Sequence, residues 1–488
     1  MESINTYTMQ LKKAWATFFM VLIAMTPAMP TFGFCGFYVA KADANLFNDK
    51  SEVILVRDGN QTTITMSNDF QGEVSEFAMV VPVPVVLRKD QIRIADPSLF
   101  AKLDTYSSPR LVEYFDPMPC MPEYDYRLME SDLSISLDSF TPTSTMKASA
   151  IELGVAIEAK YDVGEYDVLI LSATESTGLQ TWLTRNGYKV PQQAAEVLAP
   201  YIKDQMKFFV VKVDMDQRGQ FSTDRLNPIQ ISFESDRFML PIRLGMANSK
   251  GTQDMIVYAF TKEGRVECAN YRTVKVPTDR NIPTIIQPRF GQFYKDLFDK
   301  SYRSQGKNAI FLEYAWNVSP TWGVKCDPCN GPPPIVQEMN NAGVNWMTGN
   351  SGQVFFTRLH VRYSRDKFPQ DLMFQITPNK EHFQCRYVMT HAAQGDMSCD
   401  EGQRYLKDLE SRRKIEMDEL IALTGWDSPL QKNYIQEYNN QIKGGLVPSL
   451  DSSSPWRGVY AFFMAMLAFA LISSAWWLIK DNKVSKLK

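Results

Sequence analysis

The uncharged stretch over residues 458–479 constrains this chain of 488 residues most, because 22 consecutive residues there carry no charge. About 20 apolar residues in a helix span the roughly 30 Å hydrocarbon core of a bilayer. Trp456 lies at one edge of the stretch, and Trp476 and Trp477 lie at the other, where indole rings favour the membrane interface. The pattern predicts one C-terminal transmembrane helix over residues 457–479.

The charges that flank this span predict its orientation. Arg457 precedes it, whereas Lys480 and three further lysines follow it within the tail 480–488. Cytoplasmic flanks carry the excess of Lys and Arg. We therefore expect a single-pass protein of the cytoplasmic membrane, with a basic cytoplasmic tail and its ectodomain in the periplasm or outside the cell.

The amino terminus has the pattern of a secretory signal. Lys12 and Lys13 precede an apolar run over residues 14–25, and the small residues Thr31 and Gly33 follow. A basic start, a short apolar core and small residues before the cleavage site are typical of such signals. The sequence predicts a signal peptide over residues 1–33, with an uncleaved membrane anchor as the alternative.

Most of the ectodomain, residues 34–445, has the residue composition of β-strands. Runs of β-branched and aromatic residues at 51–57 and 62–66 flank Asp58-Gly59-Asn60 and predict a hairpin. Pro82 and Pro84 each lack a ladder donor, so residues 76–87 are expected to form an edge strand or an extended crossing. Further strands are predicted at 148–159, 166–171, 208–213, 229–234, 255–260 and 354–363.

Helical periodicity is confined to fewer places. It predicts helices at 178–186, 191–207 with an interruption at Pro200, 290–304, 402–424 and 430–442. The fold class expected is an α+β, β-dominated ectodomain with a C-terminal helical segment. Two subdomains, about 34–285 and 286–445, are one option, and residues 446–456 read as a stalk before the membrane.

The seven cysteines all precede the predicted membrane span. An oxidising compartment makes disulfides the default, and the odd number leaves at least one thiol unpaired or used otherwise. Sequence does not fix the connectivity, but Cys385 with Cys399 is the easiest local closure. Cys35 with Cys120 is a longer one.

Cys326-Asp327-Pro328-Cys329 admits three interpretations. A thioredoxin-like redox pair needs a helix after the first cysteine, but Pro332-Pro333-Pro334 follow this motif and cannot continue one. A metal site needs further ligands, which His382 and Cys385 could supply together with both cysteines. A structural disulfide turn is the interpretation that the pattern favours.

Other candidate chemistry is sparse. Strand alternation places Arg358, His360 and Arg362 on one face, which could bind an anion or a carboxylate, or form a solvated basic surface. Glu313 and the pair Glu113 and Asp116 are candidate acid–base carboxylates. No nucleotide-binding, hydrolase or metalloprotease fingerprint occurs, and no cofactor is predicted.

The most distinctive of several long segments is Tyr106-Ser-Ser-Pro-Arg-Leu-Val-Glu-Tyr-Phe-Asp-Pro117, with Cys120 after it. Together, and in order along the chain, these segments resemble the bacterial secreted family known as domain of unknown function 2330. The resemblance covers residues 35 to about 426. It implies an envelope location and no particular reaction, so it assigns no catalytic residue. Its other segments are 35–43, 46–48, 56–59, 76–84, 271–279, 311–316, 326–329 and 357–363.

These observations lead to one expectation about function and two alternatives. A formal net charge of −3 lacks the basic excess that nucleic-acid binding requires. The anchor, the cysteines and the missing catalytic motifs favour a membrane-tethered envelope protein that binds protein partners or assembles with them. The alternatives are a thiol–disulfide enzyme that uses Cys326 and Cys329, and a metal-binding sensor.

Overall fold

A computed structural model describes residues 37–40, 51–68, 76–120, 151–164, 166–186, 194–214, 227–247 and 251–426. Within these ranges the fold is mixed α+β and rich in strands, as the sequence predicts. Six α-helices are present there: α1 (Ser98–Ser107), α2 (Ser176–Arg185), α3 (Ala194–Lys203), α4 (Phe290–Ser304), α5 (Val336–Ala342) and α6 (Asp400–Thr424).

Two sheets carry most of the strands. One has the order β1-β4-β10-β9-β8-β7. The other has nine strands, with eight in the order β15-β17-β18-β13-β2-β3-β11-β5 and β20 paired with β17. The first twelve strands are β1 (Phe37–Ala40), β2 (Ser51–Asp58), β3 (Gln61–Asn68), β4 (Glu76–Val83), β5 (Ile92–Ile94), β6 (Arg110–Phe115), β7 (Ile151–Glu152), β8 (Val155–Val163), β9 (Tyr166–Ala173), β10 (Lys207–Asp214), β11 (Ile229–Glu234) and β12 (Met239–Leu240).

Two smaller sheets have the orders β12-β19-β14 and β16-β21-β6. Most strand pairs are antiparallel, but β13 runs parallel to β2, β15 runs parallel to β17 and β16 runs parallel to β21. The remaining strands are β13 (Gln253–Thr261), β14 (Val266–Cys268), β15 (Arg272–Lys275), β16 (Arg280–Asn281), β17 (Ala309–Asn317), β18 (Phe355–Tyr363), β19 (Leu372–Ile376), β20 (Phe383–Gln384) and β21 (Arg386–His391).

The predicted hairpin is confirmed. Strands β2 and β3 pair from Ser51 with Asn68 to Asp58 with Gln61, so Gly59 and Asn60 form a two-residue turn. Gly59 has a φ of +54°, the left-handed conformation that such tight hairpin turns require.

The prediction that residues 76–87 form an edge strand or an extended crossing, and not a central strand, is wrong for β4. Strand β4 has neighbours on both sides, β1 and β10. Pairing with β1 ends at Val80, whereas pairing with β10 continues past Pro82 to Val83. Among the described residues, Pro82 therefore lies where β4 pairs only with β10, which is how a two-sided strand accommodates a proline.

The described residues include two large apolar clusters, one on each large sheet. Helices α2 and α3 cover the six-stranded sheet, with Leu179, Trp182 and Leu198 packed near Phe208 and Leu171. Helices α1 and α5 contribute to the cluster on the nine-stranded sheet, whose members include Leu99, Leu103, Tyr106, Tyr258, Met339 and Phe356.

The described residues divide into two compact units. The larger takes in those up to 113, those from 151 to 389 and 423–425, and the smaller takes in 114–120, 390–422 and Trp426. The nine-stranded sheet joins segments on both sides of residue 285, since β13 precedes that point and its partner β18 follows it.

The predicted targeting and anchoring segments lie outside the described residues. These are the signal peptide 1–33, the helix 430–442, the stalk 446–456, the span 457–479 and the tail 480–488, together with Cys35, Trp456, Trp476, Trp477 and Lys480. Among the helices that the structure does describe, none combines the length and the apolar character that a membrane crossing needs.

Candidate functional site

The Cys326–Cys329 motif lies in an irregular segment between β17 and α5, residues 319–335, which we call the disulfide loop. Its two cysteines are bonded to each other. Cys326 is only 5% exposed and belongs to the apolar cluster on the nine-stranded sheet, whereas Cys329 faces solvent. This arrangement matches the structural disulfide turn that the sequence favours.

Buried aromatic side chains fix the first half of the disulfide loop. The hydroxyl oxygens of Tyr106 and Tyr314 lie 2.6 and 2.7 Å from the carbonyl oxygen of Lys325. Trp316 donates from Nε1 to the carbonyl of Val324 at 2.9 Å. These contacts satisfy backbone acceptors that an irregular loop would otherwise leave without a protein partner.

Polar side chains hold the middle of the disulfide loop, at residues 327 and 328. Arg110 donates from Nη1 to the carbonyl of Pro328 at 2.7 Å. Gln384 donates to the carbonyls of Asp327 and Pro328 at 2.8 and 3.0 Å, and Arg386 donates to the Asp327 carbonyl at 2.8 Å. Besides the disulfide, side chains from α1, β6, β17, β20 and β21 therefore hold the backbone from residue 324 to 328.

The same loop exposes large apolar side chains. Trp322, Val324 and Ile335 are 44%, 67% and 51% exposed, and they are three of the seven large apolar residues that are exposed in the described parts of the chain. The Trp322 ring is held edge-on to His382, with centroids 5.8 Å apart. The disulfide loop thus exposes these three apolar side chains to water from a backbone that is held in place near Val324.

The structure does not assemble the metal site considered from the sequence. The ring of His382 stacks on Trp316 with centroids 4.3 Å apart, and burial lowers its pKa. Cys385 is buried with its Sγ 3.4 Å from the Tyr387 hydroxyl, and burial raises the pKa of its thiol. Among the described residues, no group of three or more His, Cys, Asp or Glu side chains is arranged to hold a metal ion.

The second disulfide joins Cys120 to Cys399 within the smaller unit. The predicted local closure of Cys385 with Cys399 is therefore wrong. Cys385 is instead a free thiol fixed in the larger unit, because its N–H donates to the Glu313 carbonyl and its own carbonyl accepts from Arg110. The other predicted closure, Cys35 with Cys120, is wrong as well, because Cys120 is bonded to Cys399.

Arg358, His360 and Arg362 do share one face of β18, as strand alternation predicts. Arg358 is 5% exposed, and the side chains of His360 and Arg362 are 14% and 17% exposed. The expectation of a solvated basic surface is therefore wrong. Carboxylates of the chain itself occupy the positions that an external anion would take.

The three cationic side chains alternate with four carboxylates, and we call this row the charge ladder. Arg358 donates from Nε to Glu313 at 2.6 Å and from Nη1 to Asp104 at 2.7 Å. His360 bridges Glu313 and Asp254, with its Nδ1 and Nε2 at 2.9 and 3.2 Å from their carboxylate oxygens. In order, the ladder is Asp104, Arg358, Glu313, His360, Asp254, Arg362 and Asp299.

A bulge in β17 brings Glu313 into the ladder. The register with β18 shifts between Leu312 and Tyr314, so Glu313 is the extra residue. Glu313 bonds Arg358, while the next residue, Tyr314, has its ring 5.6 Å from that of Phe356 on β18. Two consecutive residues therefore reach the same face, which regular alternation forbids and a bulge allows.

The electrostatics of the ladder favour its charged form. Burial disfavours the Glu313 carboxylate, but Arg358, His360 and the Tyr294 hydroxyl outweigh it and hold its pKa at about 2. Burial likewise disfavours protonated His360, but Glu313 and Asp254 outweigh it and raise its pKa. Phe298 stacks on the His360 ring with centroids 3.8 Å apart, so helix α4 covers the imidazole.

The remaining candidate carboxylates are not brought together. Glu313 belongs to the charge ladder, and Glu113 accepts a hydrogen bond from Gln287 at 2.8 Å. Asp116 lies in the smaller unit, where Tyr405 and Arg412 donate to it at 2.6 and 3.0 Å. Each carboxylate thus has a separate structural partner, and the structure does not form the acid–base pair.

The comparison with protein families agrees with the resemblance seen in the sequence. Residues 29–375, well over half of the chain, match the family described as an uncharacterized protein conserved in bacteria, DUF2330. The chain belongs to this family. It has no detectable match among curated proteins or among solved structures.

Proposed function

We propose that this member of DUF2330 is a membrane-tethered envelope protein whose ectodomain binds a protein partner through the disulfide loop. The observation that carries the proposal is the combination of a fixed backbone with exposed Trp322, Val324 and Ile335. The partner suited to it is another protein that offers an apolar pocket to the tryptophan.

The energetics of association favour such a loop. Binding costs free energy when loops and side chains must be ordered, and an already ordered loop avoids most of that cost. Tryptophan is among the residues that contribute most to binding at interfaces. The disulfide and the anchors on Lys325 and Pro328 therefore prepare Trp322 and Val324 for contact.

The tether is proposed from the sequence. The uncharged stretch 458–479 and the lysines after it support a span with the ectodomain outside. A chain cut before Gly458 should be released in soluble form, whereas the full chain should sediment with membranes. If the cut chain still sediments with membranes, the proposed tether is wrong or the amino-terminal segment also anchors the chain.

Binding is tested with a photo-reactive amino acid in place of Val324 in the full chain, expressed in a bacterium of its own kind. We expect one discrete cross-linked protein, which is lost when Trp322→Ala is added. The matched control carries the photo-reactive residue at Ile415, which is exposed to a similar extent, 65%. Equal labelling from both positions, or none from 324, would contradict the proposal.

Thiol–disulfide exchange is the second candidate, and the exposure of Cys329 favours it. A thiolate of a partner dithiol would attack the Cys329 sulfur and form a mixed disulfide, with Cys326 leaving as a thiolate. The partner's second thiolate would then displace Cys329, so the partner is oxidised and the pair is reduced. Burial of Cys326 in an apolar cluster opposes the leaving thiolate, which is why this candidate ranks second.

The redox candidate is tested by insulin reduction with dithiothreitol as the electron donor. The unaltered protein should catalyse the reaction, and Cys326→Ser and Cys329→Ser should each abolish it while the fold is kept. Cys268→Ser is the matched control, because Cys268 is a free thiol that is also buried. No activity in the unaltered protein would end this candidate.

A further inference from the structure

A polar cavity of about 520 Å³ lies at the β5 edge of the nine-stranded sheet and shares no lining residue with the disulfide loop. Cavities that hold small molecules usually have volumes of about 300–1,000 Å³. Strands β3, β5 and β11 and the single helical turn Lys89–Gln91 supply most of its wall. Its size is therefore that of a small-molecule site.

The sheet has an unusual polar face beside this cavity. Across β3 and β11, Thr65 pairs with Gln230 and Thr63 pairs with Ser232. Thr65 and Gln230 are 0% and 1% exposed, and Gln230 donates to the Thr65 hydroxyl at 2.6 Å. Cores rarely contain polar side chains at successive strand pairs, since each requires a hydrogen-bond partner.

Arg93 brings a positive charge to the cavity wall. Its side chain donates to the Gln230 side chain and, at 3.5 Å, to the carbonyl of Asn340 near the end of α5. No carboxylate of the described residues lies within ion-pairing distance of Arg93. By contrast, Arg88 in the same wall is paired with Asp90 at 3.2 Å.

The rest of the wall limits what could pair with Arg93. Asp90 and Glu234 also line the cavity and would repel a ligand with several negative charges. Their carboxylates accept hydrogen bonds from hydroxyl groups, as the side chains of Gln61 and Asn345 also can. The lining therefore suits one carboxylate on a molecule rich in hydroxyl groups.

We propose that this cavity binds a sugar acid, with the ligand carboxylate on Arg93 and its hydroxyl groups on the surrounding carboxylates and amides. An arginine pairs with a carboxylate through two parallel hydrogen bonds, which gives both affinity and orientation. The polar face behind Arg93 holds the guanidinium through Gln230. The inference does not depend on the disulfide loop or on the proposed protein partner.

The full chain is titrated with three sugar acids, and binding is followed by ligand-observed NMR. Each acid is compared with a related sugar that lacks the carboxylate, which we call its neutral twin. The pairs are D-glucuronate with D-glucose, D-galacturonate with D-galactose, and N-acetylmuramate with N-acetylglucosamine. At least one acid should bind about tenfold more tightly than its twin, the factor that corresponds to one charge-assisted hydrogen bond. If no acid binds more tightly than its twin, the proposal is wrong.

The variant Arg93→Met should bring the affinity ratio of acid to twin close to one, and Arg93→Lys should retain part of the preference because it keeps the charge. This ratio distinguishes a direct contact between Arg93 and the ligand carboxylate from a purely structural role of Arg93. If Arg93 served only to hold α5 through Asn340, its loss would weaken both twins equally and leave the ratio unchanged. A ratio that persists in Arg93→Met would overturn the assignment.

Discussion

Arg358 donates from Nε to Glu313 at 2.6 Å, and the two side chains are only 6% and 1% exposed. Glu313 reaches this position because it is the extra residue of the β17 bulge. A buried ion pair is weak evidence of net stabilisation, but it makes each partner dependent on the other. The pair therefore fixes the register of β17 on β18 through a penalty on the unpaired state.

Removal of Arg358 should strongly destabilise the protein. Arg358→Met would remove the cation that Glu313 and Asp104 share and leave the buried Glu313 carboxylate without its main partner. The free energy of unfolding should fall by about 3–5 kcal/mol. The free energy of unfolding from urea titrations measures the effect. The matched control is Arg237→Met, since the Arg237–Asp204 pair is 55% and 45% exposed and its loss should cost less than about 1 kcal/mol.

The double variant Arg358→Met with Glu313→Met distinguishes the two explanations for such a loss. If the loss comes from an uncompensated charge, removal of both partners should recover a large part of the stability. A double variant as unstable as the sum of the single ones would show that the pair itself supplies net stability.

His360 should make the stability depend on pH in a defined direction. Its pKa is raised in the folded state because Glu313 and Asp254 outweigh burial, so the folded chain holds the proton longer than the unfolded one. This contribution is complete below the unfolded pKa of about 6.5 and is lost as the pH rises through the folded pKa. Unfolding free energies should fall over that interval.

The variant His360→Gln tests this assignment. It lacks the titrating group, so its stability should decline less steeply above pH 6.5 than that of the unaltered chain. Urea titrations at several pH values give the two slopes. Equal slopes would assign the pH dependence to other groups.

Local pattern predicted much of the fold because the signals are local. Periodicity placed α4 at 290–304 and β11 at 229–234 with the bounds that the structure has. The shared face of Arg358, His360 and Arg362 follows from strand alternation alone. The partners on that face did not follow, because Asp104 and Asp254 lie far away in the chain and pairing between distant segments has no local signal.

The incorrect predictions have a common physical origin. Pro82 indicated an edge strand, but among the described residues the pairing of β4 with β1 ends at Val80, and Pro82 has only β10 as a neighbour. Cys385 and Cys399 are close in sequence, but Cys385 is committed to the core beside Tyr387. In both cases tertiary pairing overrode a rule that considers only near neighbours along the chain. The polar cavity had no signal for the same reason, since its wall combines segments from Gln61 to Asn345.

Gly343 should resist substitution because of its conformation and its surroundings. It follows α5 with a φ of +108°, and a Cβ there would lie 2.7 Å from Cγ2 of Thr63. Gly343→Ala should therefore destabilise the chain by about 1 kcal/mol or more. Gly291→Ala is the matched control: it lies in α4 with open space around it, and alanine there should stabilise by up to about 1 kcal/mol. Equal effects in thermal unfolding would contradict this account.

The Cys120–Cys399 disulfide should stabilise the smaller unit, because it joins positions 279 residues apart. Closing so long a loop restricts the unfolded chain by an entropy worth about 5–6 kcal/mol in the simplest account. In Cys399→Ser the smaller unit, which contains Asp116 and Tyr405, should therefore unfold more readily. Backbone amides of residues 390–422 should then exchange their hydrogens faster than in the unaltered chain. Cys268→Ser serves as the control, and unchanged exchange rates in Cys399→Ser would show that the unit is held by its other contacts.

Buried Cys268 and Cys385 should remain unmodified by alkylating reagents while the protein is folded. Desolvation raises the pKa of both thiols, so little of the reactive thiolate is present near neutral pH. Peptide mass spectrometry after iodoacetamide treatment should find Cys268 and Cys385 labelled only in denaturant, and Cys326 and Cys329 labelled only after reduction.

The two cysteines of the disulfide loop should also differ from each other. After reduction without denaturant, Cys329 should be labelled before Cys326, because Cys329 is exposed and Cys326 is only 5% exposed. Labelling of Cys385 in the folded, unreduced protein would contradict its place in the core, and labelling of Cys326 and Cys329 without reductant would show that the loop is not closed by their disulfide.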